Sequence, residues 1–478
     1  MKHFKYILLG TLILLIPSCT EYLDVKPKGK IIPETAEDFS TILHYWLDRV
    51  ETGQDEEILG NATNLILQEF YSDNLDATLA SLVEGFTING YTPLYIGERI
   101  NSVQNEYSDN YSVIKDCNMI IGEMKDTKSE LAKQLLGTAW AIRSICYYNL
   151  LIRFCEPYNP ISAEDKLGLP LIDRFDMEAK PSRSDLKTTV SFIEEGFKNA
   201  IRYDISDTDY IFTSDVAKAY LTKLYFWTQQ WEKAIQYAEE LLSKYPMLEA
   251  NQYEEVMQNK FTQSSNFILN PYTSESSLGS MAVTNAFSDS KTRPVSREMA
   301  ESFSEKNDDI RYTVAFNKKR VNNKTILFRI RSEEMCLIAA ESYAHLNDTE
   351  NAIRQLNALR EKRIIQNFIP YTEKNLPEIY SQLITEDATG KPIDKLMSAI
   401  LCERRKEFYI EGDRWFELKR NGRPEFWVAN NGKKYVNEKY LYTYPINKSD
   451  IDLYPGLVIQ NPGYDCLLYT SPSPRDAH

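Results

Sequence analysis

From Ser112 onward, apolar residues recur every three or four positions. Val113, Ile114, Cys117, Ile120, Ile121 and Met124 share one helical face. Leu131, Leu135, Ala139, Ile142, Ile145, Tyr148 and Ile152 share a longer one, which Pro157 and Pro160 bring to a stop. Ser184-Asp185-Leu186 opens a helix carrying Val190, Ile193, Phe197 and Ile201, and Thr213-Ser214-Asp215 caps another that runs to Gln229. The stretch Trp231 to Pro246 follows a helix bearing Ala217, Tyr220, Leu221, Leu224 and Trp227, and it matches the second helix of a tetratricopeptide-like unit: small residues let paired helices approach, and proline ends the unit. Glu334 to Leu346, the turn Asn347-Asp348-Thr349, and Glu350 to Arg363 repeat that plan. The pattern therefore predicts helical pairs near 112–155, 184–246 and 332–363. Ala234 and Ala352 lie 118 residues apart, which is not a multiple of the repeat's usual ~34, so the array is interrupted.

The interruption, from about Tyr253 to Ile330, is rich in Ser, Asn and Thr, with weak strand-like alternation over Thr325 to Ile330. A second irregular region, 75–110, contains Gly85, Gly90, Pro93 and Gly97. Loops this long in a compact fold are usually functional or disordered, and their aromatic residues favour function. The expected fold class is mostly α: a tetratricopeptide-like array with a long loop-rich insert, 253–330, containing minor β structure.

The amino terminus changes the picture. Lys2 and Lys5 precede an apolar run from Tyr6 to Ile16, too short to span a bilayer, and Pro17-Ser18-Cys19 follows. Leu15-Ile16-Pro17-Ser18-Cys19 resembles a bacterial lipobox, so residues 1–18 are expected to be a signal peptide, Cys19 the lipidated first residue, and 19–30 a tether. Two or three acyl chains, at about 0.8 kcal/mol per buried CH₂, would hold the chain at a membrane without spanning it. Residues 31–464 are then expected to form a single domain.

Composition excludes several functions. The formal charge is −14, and losing Lys2 and Lys5 with the signal takes it to −16, leaving no broad basic surface for nucleic acid. Of four histidines, only His44 and His345 lie between the signal and the last residue, so a multi-histidine zinc site is absent from the pattern and no metal or cofactor is expected. His345 reads as a polar residue in a helix's last turn. Setting aside Cys19 and Cys466, the five remaining cysteines mostly follow helical patterns, where a buried thiol serves as a small hydrophobe.

The segment Leu401-Cys402-Glu403-Arg404-Arg405-Lys406-Glu407-Phe408-Tyr409-Ile410-Glu411-Gly412-Asp413-Arg414-Trp415-Phe416-Glu417-Leu418-Lys419-Arg420 resembles the carboxy-terminal signature (401–420) of SusD/RagB-family outer-membrane lipoproteins. Tyr22 to Gly29 after the lipobox, Cys117-Asn118-Met119-Ile120-Ile121, Tyr444-Pro445-Ile446 with Asp450 to Leu453, and Gln460-Asn461-Pro462-Gly463-Tyr464 agree with it in order. Residues 465–478 resemble translated adapter read-through and are set apart from the fold. Read physically, the signature is a charged helix, a break at Gly412 and a second helix. Its charges are expected to form ion pairs rather than a catalytic cluster, with Trp415, Phe416 and Leu418 as core anchors.

The resemblance implies a lipid-anchored protein on the cell exterior that captures oligosaccharides. It would work, without catalysis, beside a SusC-like TonB-dependent transporter that it caps like a lid, meeting the barrel through its helical array. Sugar recognition needs flat aromatic faces and hydroxyl-binding polar groups. Tyr91, Tyr95, Arg99, Asn101, Gln104 and Tyr107 interleave these in the first irregular region, as do Asn270, Tyr272, Phe287, Arg293 and Phe316 in the insert. Trp46, Trp140, Trp227 and Trp231 are expected in the core. The lack of tryptophan from Asn61 to Ser129 and from Glu232 to Arg414 departs from the starch platform of the family's name-giving member and favours a tyrosine-dominated site for a different glycan. Peptide or glycopeptide capture is the alternative. A glycosidase, needing two carboxylates roughly 5–10 Å apart, is a remote one that no motif singles out.

Overall fold

A computed structural model describes residues 33, 35–76, 105–176, 178–259, 264–380, 383–430 and 433–464. The signal, Cys19, the tether and the segment 465–478 lie outside these residues. No helix among the described residues is long and apolar enough to cross a membrane.

Reciprocal capping boxes, Thr35 with Asp38 and Asn61 with Asn64, start α1 (Ala36–Glu51) and α2 (Ala62–Phe70). Next come α3 (Asn105–Glu123) and α4 (Glu130–Phe154). The first begins seven residues before the apolar pattern does, because Asn105 to Asn110 is mostly polar and carries no periodic signal. α4 is buried on nearly every side and forms the spine of the array. After a short antiparallel pair, β1 (Leu167–Pro170) with β2 (Arg183–Asp185), the Asp185 side chain caps α5 (Leu186–Arg202) and Thr213 caps α6 (Ser214–Trp227). α7 (Trp231–Lys244) buries Trp231, Ala234, Ile235, Ala238 and Leu241 along one stripe.

The insert is more helical than its composition suggests: it contains α8 (Ala250–Gln258), β3 (Phe267–Leu269), α9 (Ser277–Ser290), α10 (Arg297–Glu301) and α11 (Ile310–Ala315), and closes at β4 (Ile330–Arg331). The small polar residues that read as loop also serve as caps, with Ser276 and Ser296 starting α9 and α10. The alternation near Thr325 yields only two strand residues, paired with β3.

The array then resumes with α12 (Ser332–His345), α13 (Thr349–Glu361), α14 (Lys395–Glu407) and α15 (Asp413–Arg420), followed by the hairpin β5 (Phe426–Asn430) and β6 (Lys433–Asn437) and by α16 (Lys448–Leu453). Successive helices from α3 to α7 pack on one another, and α7 packs directly on α12, which in turn packs on α13 and α14. The interruption is thus one of sequence and not of space. Ser332 donates to the Pro246 carbonyl at 3.1 Å, and the Leu248 amide donates to Glu333 at 2.8 Å, so the chain leaves and re-enters the array at neighbouring points.

Trp46, Trp227 and Trp231 are buried and Trp140 is half-buried under the Arg143 guanidinium. His345 occupies the last turn of α12, but its ring stacks on Trp231 at 4.1 Å and lies between Glu341 and Asp387. Cys117, Cys146, Cys155 and Cys336 are buried free thiols.

Candidate functional site

Tyr91, Tyr95, Arg99, Asn101 and Gln104 lie outside the described residues. Four of the other sequence candidates are packing residues. Tyr107 is buried between Tyr111 and Phe154, each with ring centroids 5.0 Å away. Tyr272 packs over Gly53, Arg293 stacks on Phe70 at 4.1 Å, and Phe316 joins Phe303, Tyr312 and Tyr409. With 5% or less of their surface exposed, these four do not offer a face to a sugar. A flat ring that suits a pyranose suits another side chain equally well, and sequence alone does not distinguish the two. Phe287 is half-buried, with the Lys291 ammonium 3.7 Å from its ring centre.

The fold does bring the start of the first irregular region, Leu75 and Asp76, against the insert. Leu75 pairs with Val295, the Asp76 amide donates to the Pro294 carbonyl at 2.8 Å, and the Ser296 amide donates to the Asn74 carbonyl at 2.8 Å.

Asn270 lines a cleft of about 830 Å³, within the ~300–1,000 Å³ typical of small-ligand sites. Its walls come from the end of α1 (His44, Glu51), the α5–α6 connection, the start of α6, the end of α7 and the strand β3. Asn270 accepts from the Arg329 guanidinium at 3.2 Å, which orients its amide. The connection is held by an exchange of hydrogen bonds: the Ile205 amide to the Ser214 hydroxyl at 2.8 Å and the Ser214 amide to the Ile205 carbonyl at 2.7 Å. Across the cleft, Tyr245 donates to Asp215 at 2.8 Å, and Lys244 also pairs with Asp215. Burial alone would raise the Asp215 carboxyl, but its bonds from Lys244 and Tyr245 hold it below the ordinary range. Serine and threonine hydroxyls, an amide, exposed carboxylates and one tyrosine thus converge on one hollow. Sequence reasoning missed all of it but Asn270, because its walls come from four separated segments and no short motif spans them. A second cavity, of about 110 Å³ beneath the signature helices, is smaller than the ~150 Å³ that holds one benzene ring.

The signature itself builds structure. Arg311, Arg331, Arg360, Arg363, Lys324 and Lys406 interlock with Glu305, Asp309, Glu333, Glu403, Glu407 and Glu411, six charges of each sign. This network ties α14 to the array through Glu333 and Arg363, and to the insert through Asp309, Arg311 and Lys324. Gly412 follows in the left-handed region at φ +77°, where an added Cβ would lie 2.4 Å from the Gln68 amide oxygen.

These pairs set the response to pH. Burial would raise Glu407, but Arg363 and Arg331 outweigh it and hold its carboxyl at about 2; Arg420 and His345 do the same for Glu341, also at about 2. Both lie below the ordinary 4.5, so their stabilisation is complete above about pH 4.5 and is lost as pH falls toward 2. Glu69 and Asp55 behave oppositely. Burial pushes Glu69 up to about 7 despite bonds from Asn74 and the Gly412 amide, and Asp55 up to about 6 despite three backbone amides. The folded state binds their protons more tightly, so stability falls as pH rises through that window. Thermal unfolding measured against pH is expected to show acid destabilisation below about pH 4.5. Glu69→Gln should flatten the decline between about pH 4.5 and 7, and an unchanged slope would refute the assignment.

Residues 308–464 match the SusD family, and residues 21–226 match the family described as starch-binding associating with outer membrane. No curated protein matches the chain in sequence. Among solved structures, a SusD superfamily protein from Bacteroides thetaiotaomicron is similar at a TM-score of 0.64 and 19% identity, covering 90% of this chain and 100% of that one. A SusD superfamily protein from Bacteroides vulgatus gives 0.64 and 17% over 90% and 100%. A SusD-like carbohydrate binding protein from the same species gives 0.61 and 17% over 88% and 97%. At these identities the likeness is one of fold. With SusD-group models matching both the amino-terminal and carboxy-terminal parts of the sequence, and the fold matching theirs over its length, the chain belongs to the SusD/RagB family.

Proposed function

We propose that this protein is a non-catalytic, cell-surface glycan-binding lipoprotein, anchored through Cys19. It captures oligosaccharides and hands them to a SusC-like TonB-dependent transporter in the outer membrane. The observation that carries the binding role is the 830 Å³ cleft with its polar lining, in a family described by starch binding and outer-membrane association. The solved relative of similar fold that is called carbohydrate binding supports the same reading. Catalysis is not needed to account for the acidic signature, because Glu403 and Glu407 are buried in ion pairs rather than poised as an acid and a base.

Isothermal titration against plant, fungal and host polysaccharides tests the reading: saturable binding of at least one is expected, with no release of reducing ends. Binding of peptides and of no carbohydrate would overturn it. Ser206→Trp, at an exposed cleft position, is expected to weaken binding about tenfold, or ~1.4 kcal/mol, without lowering the unfolding temperature. Full affinity in that variant would move the site elsewhere. Co-purification with a TonB-dependent barrel tests the partner.

A second reading, capture of basic peptides, draws on the acidic lining. It predicts an affinity for oligolysine that falls steeply with salt.

A further inference from the structure

We infer that the cleft selects glycans carrying amino groups over their N-acetylated and anionic counterparts; this rests on the cleft being the glycan site. Its titratable lining is His44, Glu51, Asp204, Asp209, Asp215 and Lys244. Lys244 is matched by Asp215, which Lys218 also approaches at 3.7 Å. Glu51, Asp204 and Asp209 face the hollow and form no ion pair among the described residues, although Lys218, itself paired with Glu240, acts on Asp204 at longer range.

A second feature acts in the same direction. The carboxyl ends of three helices, α1 at Glu51, α5 just before Asp204 and α7 at Lys244, reach the cleft. Each carries the partial negative charge of a helix terminus. The amino terminus of α6 there is already capped by Thr213 and carries Asp215 in its first turn, and the 3-10 turn Thr208–Tyr210 is capped by Asp207.

The backbone that carries these carboxylates is also positioned in advance. Asp204 sits at φ +52° beside the Ile205–Ser214 exchange, and the Asp209 amide donates to Asp207 at 3.0 Å. The Glu51 carbonyl accepts the Thr273 and Ser274 amides, both at 3.1 Å, and its carboxylate takes the Ser274 hydroxyl. An ammonium group entering the cleft therefore meets carboxylates on an ordered backbone, with that of Glu51 already held by Ser274. A uronate or sulfate would instead meet these carboxylates as like charge, with Lys244 already matched by Asp215.

The test compares a glucosamine tetramer, its N-acetylated counterpart and a galacturonate tetramer at pH 6 and low salt, using the full chain. The amino form is expected to bind about tenfold tighter than the acetylated one, with the galacturonate weakest, and the gap should close as salt is raised. Asp209→Asn and Asp204→Asn, both at exposed positions, are each expected to reduce the amino form's advantage about three- to fivefold. They should lower the acetylated form's affinity by less than the amino form's and leave the unfolding temperature unchanged. Equal affinity for the amino and acetylated forms, or a preference for the galacturonate, overturns the inference while leaving glycan capture intact. Tighter binding of trilysine than of the glucosamine tetramer overturns it in favour of a peptide ligand. Absence of binding by every carbohydrate removes the glycan reading as well.

Discussion

Glu407→Ala is expected to destabilise the protein by about 3–5 kcal/mol, read as a lower urea midpoint. The Glu407 side chain is fully buried. It accepts from the Arg363 guanidinium through both oxygens, at 3.0 and 3.1 Å, and has Arg311 and Arg331 at 3.5 and 3.6 Å. Removing it leaves the network's six cations facing five carboxylates in place of six, and the uncompensated charge sits where water cannot reach it. Desolvation makes a half-broken buried pair far costlier than a missing surface pair. The contrast is built into the same helix: Lys395 pairs with Glu378 at 2.5 Å, but both are largely exposed. Lys395→Ala is therefore expected to cost under about 1 kcal/mol. Glu407→Gln should resemble Glu407→Ala, because the charge and not the volume is at stake. A loss below about 1 kcal/mol for both Glu407 variants would show that the network is not cooperative.

Trp415→Ala is expected to cost about 3–5 kcal/mol. Trp415 is completely buried, stacks on Tyr442 with centroids 4.4 Å apart at 20°, and meets Tyr71 at 5.5 Å. It thereby joins the signature to α2 and to the segment after the carboxy-terminal hairpin. The loss combines apolar transfer, a large cavity that rigid neighbours cannot fill, and aromatic contacts of about 0.5–1.5 kcal/mol. Trp415→Phe should retain more than half of the stability lost in Trp415→Ala. Urea midpoints for the two variants, with far-ultraviolet circular dichroism to check the fold, measure this. If alanine and phenylalanine were equally tolerated, the anchoring role would be refuted.

The sequence by itself determined the local elements. Helical periodicity and capping act within a few residues, so Asp185 and Thr213 start their helices where the pattern places them. The stripe from Trp231 to Leu241 is buried as its spacing requires, and Gly412 breaks the signature because only glycine fits its left-handed backbone and close neighbour. The family was legible for the same reason, since its signature is a contiguous run. Tertiary structure alone decided what depends on distant partners. The alternating charges at 403–420 could have been solvated, and they are buried because arginines from the insert and from the turn after α13 arrive to meet them. Tyr107, Tyr272 and Phe316 carry the chemistry of a sugar platform, yet neighbours from other segments cover their faces. The cleft exists because α1, the α5–α6 connection, the end of α7 and β3 come together from distant parts of the chain. Burial and cavity shape are properties of contacts between residues far apart in the chain, and no local pattern encodes them.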